Sequence, residues 1–397
     1  MDPYLTDWLN LILRFAHVIT GIAWIGASFY FVWLDNHLQK PPQAKLDQGI
    51  KGDLWAIHGG GFYEVAKYQL APPQMPQTLH WFKWEAYTTW ITGFFLLVLM
   101  YYVCAESYLI DPRVADLSQW QAIGIGVGAI VVGWLVYDIL CQTKLSEHGV
   151  ILGLLLMVLA TALAYGLTQV FSARGAYIHM GAIIGTIMAG NVFRVIIPGQ
   201  KALVAAVEKG EAPESHWAVK AKLRSTHNTY TTLPLLFIMI SNHYPMTYNH
   251  SYNWAVLIAI MIITAAVRQY FVARHFGKQN PLVLVAAAIG LVALAVAIAP
   301  KPVAVANTSA VIDVPKVETV LRDRCATCHS ATPTDAMFPA APGGVLLDTL
   351  EQMQQWAPRI KARSVDAPDM PFMNKTQMTD EERALVGQWV AAGAPSS

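Results

Sequence analysis

Charge is scarce in this chain. Only 13% of its 397 residues are Asp, Glu, Lys or Arg, while 55% are hydrophobic, a balance that excludes an ordinary soluble domain and fits a polytopic membrane protein. Neither sign dominates: the formal net charge is +1, which excludes the electrostatic footprint of a nucleic-acid binder. Cysteine is nearly absent too. Of four, Cys104 and Cys141 stand alone in apolar stretches and read as small core residues. The chain also lacks Gly-x-Ser-x-Gly, so the run His58-Gly59-Gly60-Gly61 is no hydrolase oxyanion loop; its glycines read as a tight inner loop. No internal repeat or low-complexity tract is present.

What is abundant is long apolar sequence. A bilayer core needs roughly 20 apolar residues per helix. Eight windows meet or approach this: Trp8–Leu34, Trp81–Val103, Gln121–Leu140, Val150–Phe171, Tyr177–Ile197, Tyr230–His243, Trp254–Val272 and Leu282–Ala299. The first is too long for a signal-peptide core and no small-residue cleavage site follows, so it reads as a retained helix. With the N-terminus outside, the inner loops carry Lys40, Lys45, Lys51, Lys67, Lys144, Lys201, Lys209, Lys220, Lys222, Arg224, Arg274 and Lys278, and the outer loops only Arg113 and Arg174. This asymmetry sets the orientation. The fold expected is all-α: a polytopic membrane bundle of eight transmembrane helices over residues 1–300, a linker of Ala, Val, Pro, Asn and Thr over 301–311, and a small soluble domain over 312–397 on the outer face.

That last domain carries Cys325-Ala326-Thr327-Cys328-His329. Cys-x-x-Cys-His is the attachment signature of a c-type haem: both thiols reach the vinyl groups of one porphyrin and the adjacent His falls under the iron. A zinc site would need a second ligand pair, and the domain has no other Cys or His; a redox disulfide would need a βαβ context. Val317, Val320 and Leu321 lead into the motif at helical spacing. Thr379 and Glu382 form a capping-box pattern before a helix bearing Leu385, Val386 and Trp389. The expected domain is a small class I-like cytochrome c, its sixth ligand a Met. Met370, followed by Pro371, leads; Met373 is runner-up, and Met353 reads as packing.

Inside the membrane windows, ionisable residues are costly and are functional candidates. Arg14, His17, Gly21 and Ser28 share one helix face, as do His179, Thr186, Gly190 and Arg194, and likewise Thr264 and Arg268. Two groups separate by depth. His17, His179 and His243 lie toward the outer side; His80, Glu85, Arg194, His227, Asn228 and Arg268 lie toward the inner side. His227 and His243 are 16 residues apart on one helix, or about 24 Å, so they cannot line one small site. Lys83 and Arg274 read as snorkelling cations, and Trp8, Trp81 and Trp254 as interfacial belt residues.

Four stretches, Leu13–Leu38, His58–Pro72, Leu79–Trp90 and Ser225–Pro245, resemble the bacterial membrane-bound urate oxidase family that ends in a cytochrome c domain. The resemblance implies oxidation of urate to 5-hydroxyisourate, with electrons passed to a fused c haem rather than to dioxygen. It further implies a multi-pass protein of the bacterial inner membrane and a periplasmic acceptor such as a soluble cytochrome c or a terminal oxidase. For urate, a planar anion with carbonyl and N–H edges, Arg194 and Arg268 are the candidate clamp, Asn228 and Gln269 the candidate edge readers, and His227 or Glu85 the candidate base toward water. Cys325, Cys328, His329 and Met370 would hold one covalent haem c. If urate binds in the inner group, about 30 Å of hydrocarbon separates it from that haem, too far for one hop. A non-covalent b-type haem on two of His17, His179 and His243 would be a relay; the other reading is three separately satisfied histidines. Two alternatives stand beside urate oxidation: a quinol-oxidising electron-transfer subunit, and a transporter with a passenger cytochrome domain.

Overall fold

A computed structural model describes residues 3–69, 71–212, 214–275, 280–299, 312–335, 338, 340–366 and 369–396. The expected linker, 301–311, lies outside the described residues.

The N-terminal part is built from α1 (Pro3–His37), α2 (Trp84–Leu97, prolonged by a wide π turn at Val98–Val103), α3 (Gln119–Leu140), α4 (Gly149–Thr168), α5 (Ala173–Asn191), α6 (Ser215–Ser241), α7 (Asn253–His275) and α8 (Leu282–Ala297). Helix α5 runs on through a π turn at Val192–Ile196 into Ile197–Glu208. Among the described residues, six helical stretches are long and apolar enough to cross a bilayer: Tyr4–His37, Trp84–Val103, Gln119–Leu140, Gly149–Thr168, Ala173–Glu208 and Asn253–Arg274. The other two expected spans are helical but differ from these. Helix α6 has the length, 27 residues, yet its first half is polar. Helix α8 has the apolarity but only 16 residues.

Caps and glycines explain how the bundle closes. Ser118 and Gln121 form a reciprocal capping box at the start of α3. Ser172 caps α5 by accepting from the Gly175 amide, and its hydroxyl donates to the Tyr108 carbonyl. Between apolar helices in lipid there is little hydrophobic drive to associate, so close backbone approach matters. A Cβ at Gly181 would lie 2.6 Å from Ile238 of α6, and one at Gly190 would lie 2.4 Å from Trp134 of α3. Only glycine admits these contacts.

One element departs from the all-α expectation. Strands β1 (Ile50–His58) and β2 (Gly61–Tyr68) pair antiparallel. Gly59 and Gly60 both take positive φ, 57° and 83°, as a two-residue hairpin turn of the right twist requires. The loop expected between the first two spans is therefore a hairpin. Its base is tied to α1 by Lys67 and Asp35 at 2.6 Å.

The C-terminal part is a separate helical core of α9 (Val314–Leu321), α10 (Leu350–Lys361) and α11 (Asp380–Ala391). Val317, Leu321, Met353, Val386 and Trp389 are completely buried, and Trp389 Nε1 donates to the Pro395 carbonyl at 2.9 Å. The capping box of Thr379 and Glu382 forms as the sequence indicates.

Candidate functional site

Between α1, α2, α5, α6 and α7 lies a cavity of about 250 Å³. This is below the roughly 300–1,000 Å³ of sites that take drug-sized ligands, and on the scale of one small ring system. Trp24, Ser28 and Phe29 of α1 line it, together with Met188, Val192, Asn228 and Thr232. Glu85 and Arg268 both line it. Glu85 is the second residue of α2, and Arg268 stands seven residues (275 − 268) before the end of α7. The cavity thus sits toward the Lys- and Arg-rich end of the bundle.

Two atoms give this cavity its chemistry. Among the buried side-chain polar atoms of the described residues, Glu85 Oε2 and Arg268 Nε have no hydrogen-bond partner. A buried polar group left unpaired costs about 1–3 kcal/mol, so these two atoms call for an explanation. Arg268 is further held by its guanidinium carbon 4.3 Å from the Phe29 ring centre. Glu85 Oε1 has only His80, exposed and 3.9 Å away.

The other candidates separate. Asn228 lines the cavity, its Oδ1 accepting from Asn191 Nδ2 at 2.9 Å and its Nδ2 donating to the Met188 carbonyl at 3.0 Å. His227 is not among the lining residues; its Nδ1 pairs with the Tyr137 hydroxyl at 2.8 Å. Gln269 is exposed and bonded to Tyr230. Arg194 is exposed, with its guanidinium 5.9 Å from the Trp134 ring centre. The stripe it shares with Gly190 turns toward α3, not toward the cavity. Of the residues expected to meet urate or water, the structure brings Glu85, Asn228 and Arg268 together.

A second, larger cavity of about 620 Å³ adjoins the first through Phe29, Val32 and Arg268, with Trp33, His37, Phe271 and Arg274 on its walls.

Behind Asn228 lies a network that the sequence reading passed over. Arg224, counted there as an inner-loop cation, is buried and pairs with Asp138 at 2.7 Å. It also donates to Asn191, whose amide reaches both Tyr137 and Asn228. One signal was available: Asp138 is the single acidic residue in the window Gln121–Leu140, and a lone charge in a membrane helix calls for a partner.

The three outer histidines stand apart. His17 Nδ1 meets the Thr89 carbonyl at 3.0 Å and Thr92 Oγ1 at 3.1 Å, with its ring against Gly93. His179 is completely buried; its Nδ1 donates to the Gly175 carbonyl at 2.9 Å and its Nε2 lies 3.2 Å from the Tyr102 hydroxyl. His243 is exposed in the turn after α6.

In the C-terminal part, the motif occupies a tight turn. The His329 amide donates to the Cys325 carbonyl at 2.9 Å. His329 Nδ1 donates to the Val345 carbonyl at 3.3 Å, which orients the ring and leaves Nε2 available as a ligand. Both thiols are free. Burial pushes the Cys325 thiol up to about 12 and raises that of Cys328 as well. Redox-active Cys-x-x-Cys pairs show the opposite, a lowered pKa. Met370 and Met373 are half-buried on the loop before α11, whereas Met378 and Met353 belong to the core. Among the described residues, no cluster of three or more His, Cys, Asp and Glu could hold a bare metal ion.

The model of the urate oxidase N-terminal family matches residues 3–299. The chain belongs to this family. No curated protein and no solved structure matches it. The urate oxidase N-terminal region takes in the whole bundle and both cavities, and it ends before the Cys-x-x-Cys-His domain begins.

Proposed function

We propose that the protein oxidises urate in the cavity between Glu85 and Arg268 and delivers the electrons to a c-type haem on its own C-terminal domain. The observation that carries this reading is that Glu85 and Arg268, each with a buried polar atom lacking a partner, both line one small cavity within a urate oxidase N-terminal region. Arg268 supplies the cation for urate's negative charge, and Phe29 and Trp24 supply apolar walls for a planar ring. Asn228, held from behind by Asn191, presents its amide edge to the ring's carbonyl and N–H groups. Glu85 takes a proton from the water that adds at the ring carbon. In balance, urate and one water give 5-hydroxyisourate, two protons and two electrons. His227, paired with Tyr137 outside the cavity, is the second candidate for the base.

The residues Cys325, Cys328 and His329 suit covalent haem attachment, and Met370 suits the sixth position. When bound, such a haem accepts one electron at a time. Arg324 ties this region together by its ion pair with Glu382 at 2.9 Å and its bond to the Thr376 carbonyl. On this reading the bundle spans the bacterial inner membrane with the C-terminal domain on the periplasmic side, where a soluble cytochrome c or a terminal oxidase takes the electrons onward.

A quinol-oxidising subunit is the second reading, favoured by the larger cavity beside Arg268 and its apolar walls. Anaerobic addition of urate to the purified protein decides between them. Reduction of the c-haem bands by urate is expected; reduction by quinol but not by urate would establish the second reading.

A further inference from the structure

We infer that the C-terminal domain delivers function from a docked position on the outer end of the bundle, latched by Arg174, with Phe372 as the contact edge. The inference rests on the urate-to-haem reading and adds how the two parts meet.

Arg174 is the second residue of α5. On the bundle side its Nε donates to Asn242 Oδ1 at 2.9 Å and to the Tyr101 hydroxyl at 3.2 Å. These bonds fix the guanidinium plane. Its carbon then lies 5.2 Å from the Tyr108 ring centre and 5.9 Å from that of Phe372. The Tyr108 and Phe372 rings meet edge to face at 5.5 Å. One cation is therefore shared between two rings, one from each part of the molecule.

Phe372 is not on a loose segment. Arg383 of α11 donates to the Met370 carbonyl at 2.7 Å and to Asn374 Oδ1 at 3.1 Å, so one arginine holds both ends of the loop. On the same side, Asp369 is paired with Arg363 at 2.5 Å. Met370, the expected haem ligand, is two residues from the contact. Behind Arg174, the Tyr101 ring stands edge-on to His179 at 6.3 Å. A packed column runs from His179 through Tyr101 and Tyr108 to Phe372.

A single half-buried cation–π contact is too weak to join separate proteins. On one chain it suffices to bias the partners together, because a short tether supplies an effective concentration of about millimolar. Such a latch holds the Phe372 side of the domain against the bundle yet lets the domain leave, as a haem there would need in order to meet an external acceptor. With a haem attached, the docked position would set it at the outer end of the bundle; because the Glu85–Arg268 cavity lies toward the other end, electrons would reach it through a relay and not in one hop, one at a time and two for each urate oxidised, with the protons leaving separately.

Three full-length variants test this. Arg174→Ala and Phe372→Ala should keep the wild-type haem spectrum and the wild-type rate of reduction by ascorbate, which reaches the haem from solution. Reduction of the haem by urate in anaerobic stopped flow should slow about two- to fivefold in both, with part of the rate restored in Arg174→Lys. In the third, Tyr108→Cys with Phe372→Cys, a short bis-maleimide reagent, which spans the gap left by the two rings, should form a link that keeps the domain attached after proteolysis within 301–311, read on a denaturing gel. Urate-driven reduction at the wild-type rate in both alanine variants, or no link in the double cysteine variant, overturns the docking. Wild-type protein that urate does not reduce overturns the proposed function instead, and the cross-link still judges the docking. Should Arg174→Ala fail to fold, Phe372→Ala, placed on the other part, carries the kinetic test.

Discussion

The guanidinium carbon of Arg268 lies 4.3 Å from the ring centre of Phe29. That contact packs the one buried arginine that lines the cavity against an aromatic face, while its buried Nε has no partner. Arg268→Ala should lower kcat/KM for urate by roughly 30-fold or more, since losing one partner of a buried charged pair costs about 2–5 kcal/mol. Arg194→Ala, on the Trp134 side of α5, should change it little. Steady-state haem reduction across a urate series measures both; the reverse pattern would move the anion clamp to Arg194.

Glu85→Gln keeps the shape of the side chain and removes its basicity. A general base contributes about 10²–10⁴-fold, so kcat should fall within that range with KM nearly unchanged. A large fall in His227→Gln together with a small one in Glu85→Gln would transfer the role to the Tyr137-paired histidine.

The buried pair Arg224–Asp138 predicts a stability effect of its own. Removing one partner leaves an uncompensated charge, at a cost of about 3–5 kcal/mol. Arg224→Met should therefore lower the Tm in detergent sharply. Combining it with Asp138→Leu should recover most of the loss. A double variant as unstable as the single one would show that Arg224 acts through Asn191 and Tyr137 instead.

Haem chemistry gives the fourth expectation. Cys325→Ala or Cys328→Ala should abolish covalent haem, seen as loss of haem stain on a denaturing gel. Met370→Ala should remove the Met–iron charge-transfer absorption and lower the potential, while Met373→Ala should do neither.

The outer histidines are settled by a count. Acidified acetone extracts non-covalent haem and leaves covalent haem on the chain. One extractable haem per covalent haem, lost in His17→Ala or His179→Ala, would establish a b-type relay. None in active protein would leave His17 to Thr89 and Thr92, and His179 to Gly175 and Tyr102.

Legibility in the sequence followed how local each signal was. The apolar runs marked the helices because burial in lipid is written residue by residue. The Thr379–Glu382 box and the core face of Val386 and Trp389 were readable for the same reason. The hairpin has a local signal in Gly59-Gly60, but between two long apolar helices the same glycines are equally compatible with a bare loop, and only the strand pairing distinguishes them. In the site, Glu85, Asn228 and Arg268 were named from their depth alone, but depth does not give azimuth. Arg194 has the right depth and faces Trp134. Arg224 was counted as a loop charge because α6 begins well before its apolar half. Its pairing with Asp138 across 86 residues is a tertiary fact that no local pattern carries.

The wide turn at Val192–Ile196 has a consequence for insertions and deletions. A helix advances about 100° and 1.5 Å per residue. One residue fewer in that turn would rotate all of Ile197–Glu208 by that angle and draw it back by that distance. Gly199, whose absent side chain leaves room for the Trp217 carbonyl 3.4 Å from where a Cβ would stand, would swing off α6. Length is therefore as tightly set here as residue identity is at Arg268: a change of chain count in this turn is a change of angle for everything after it.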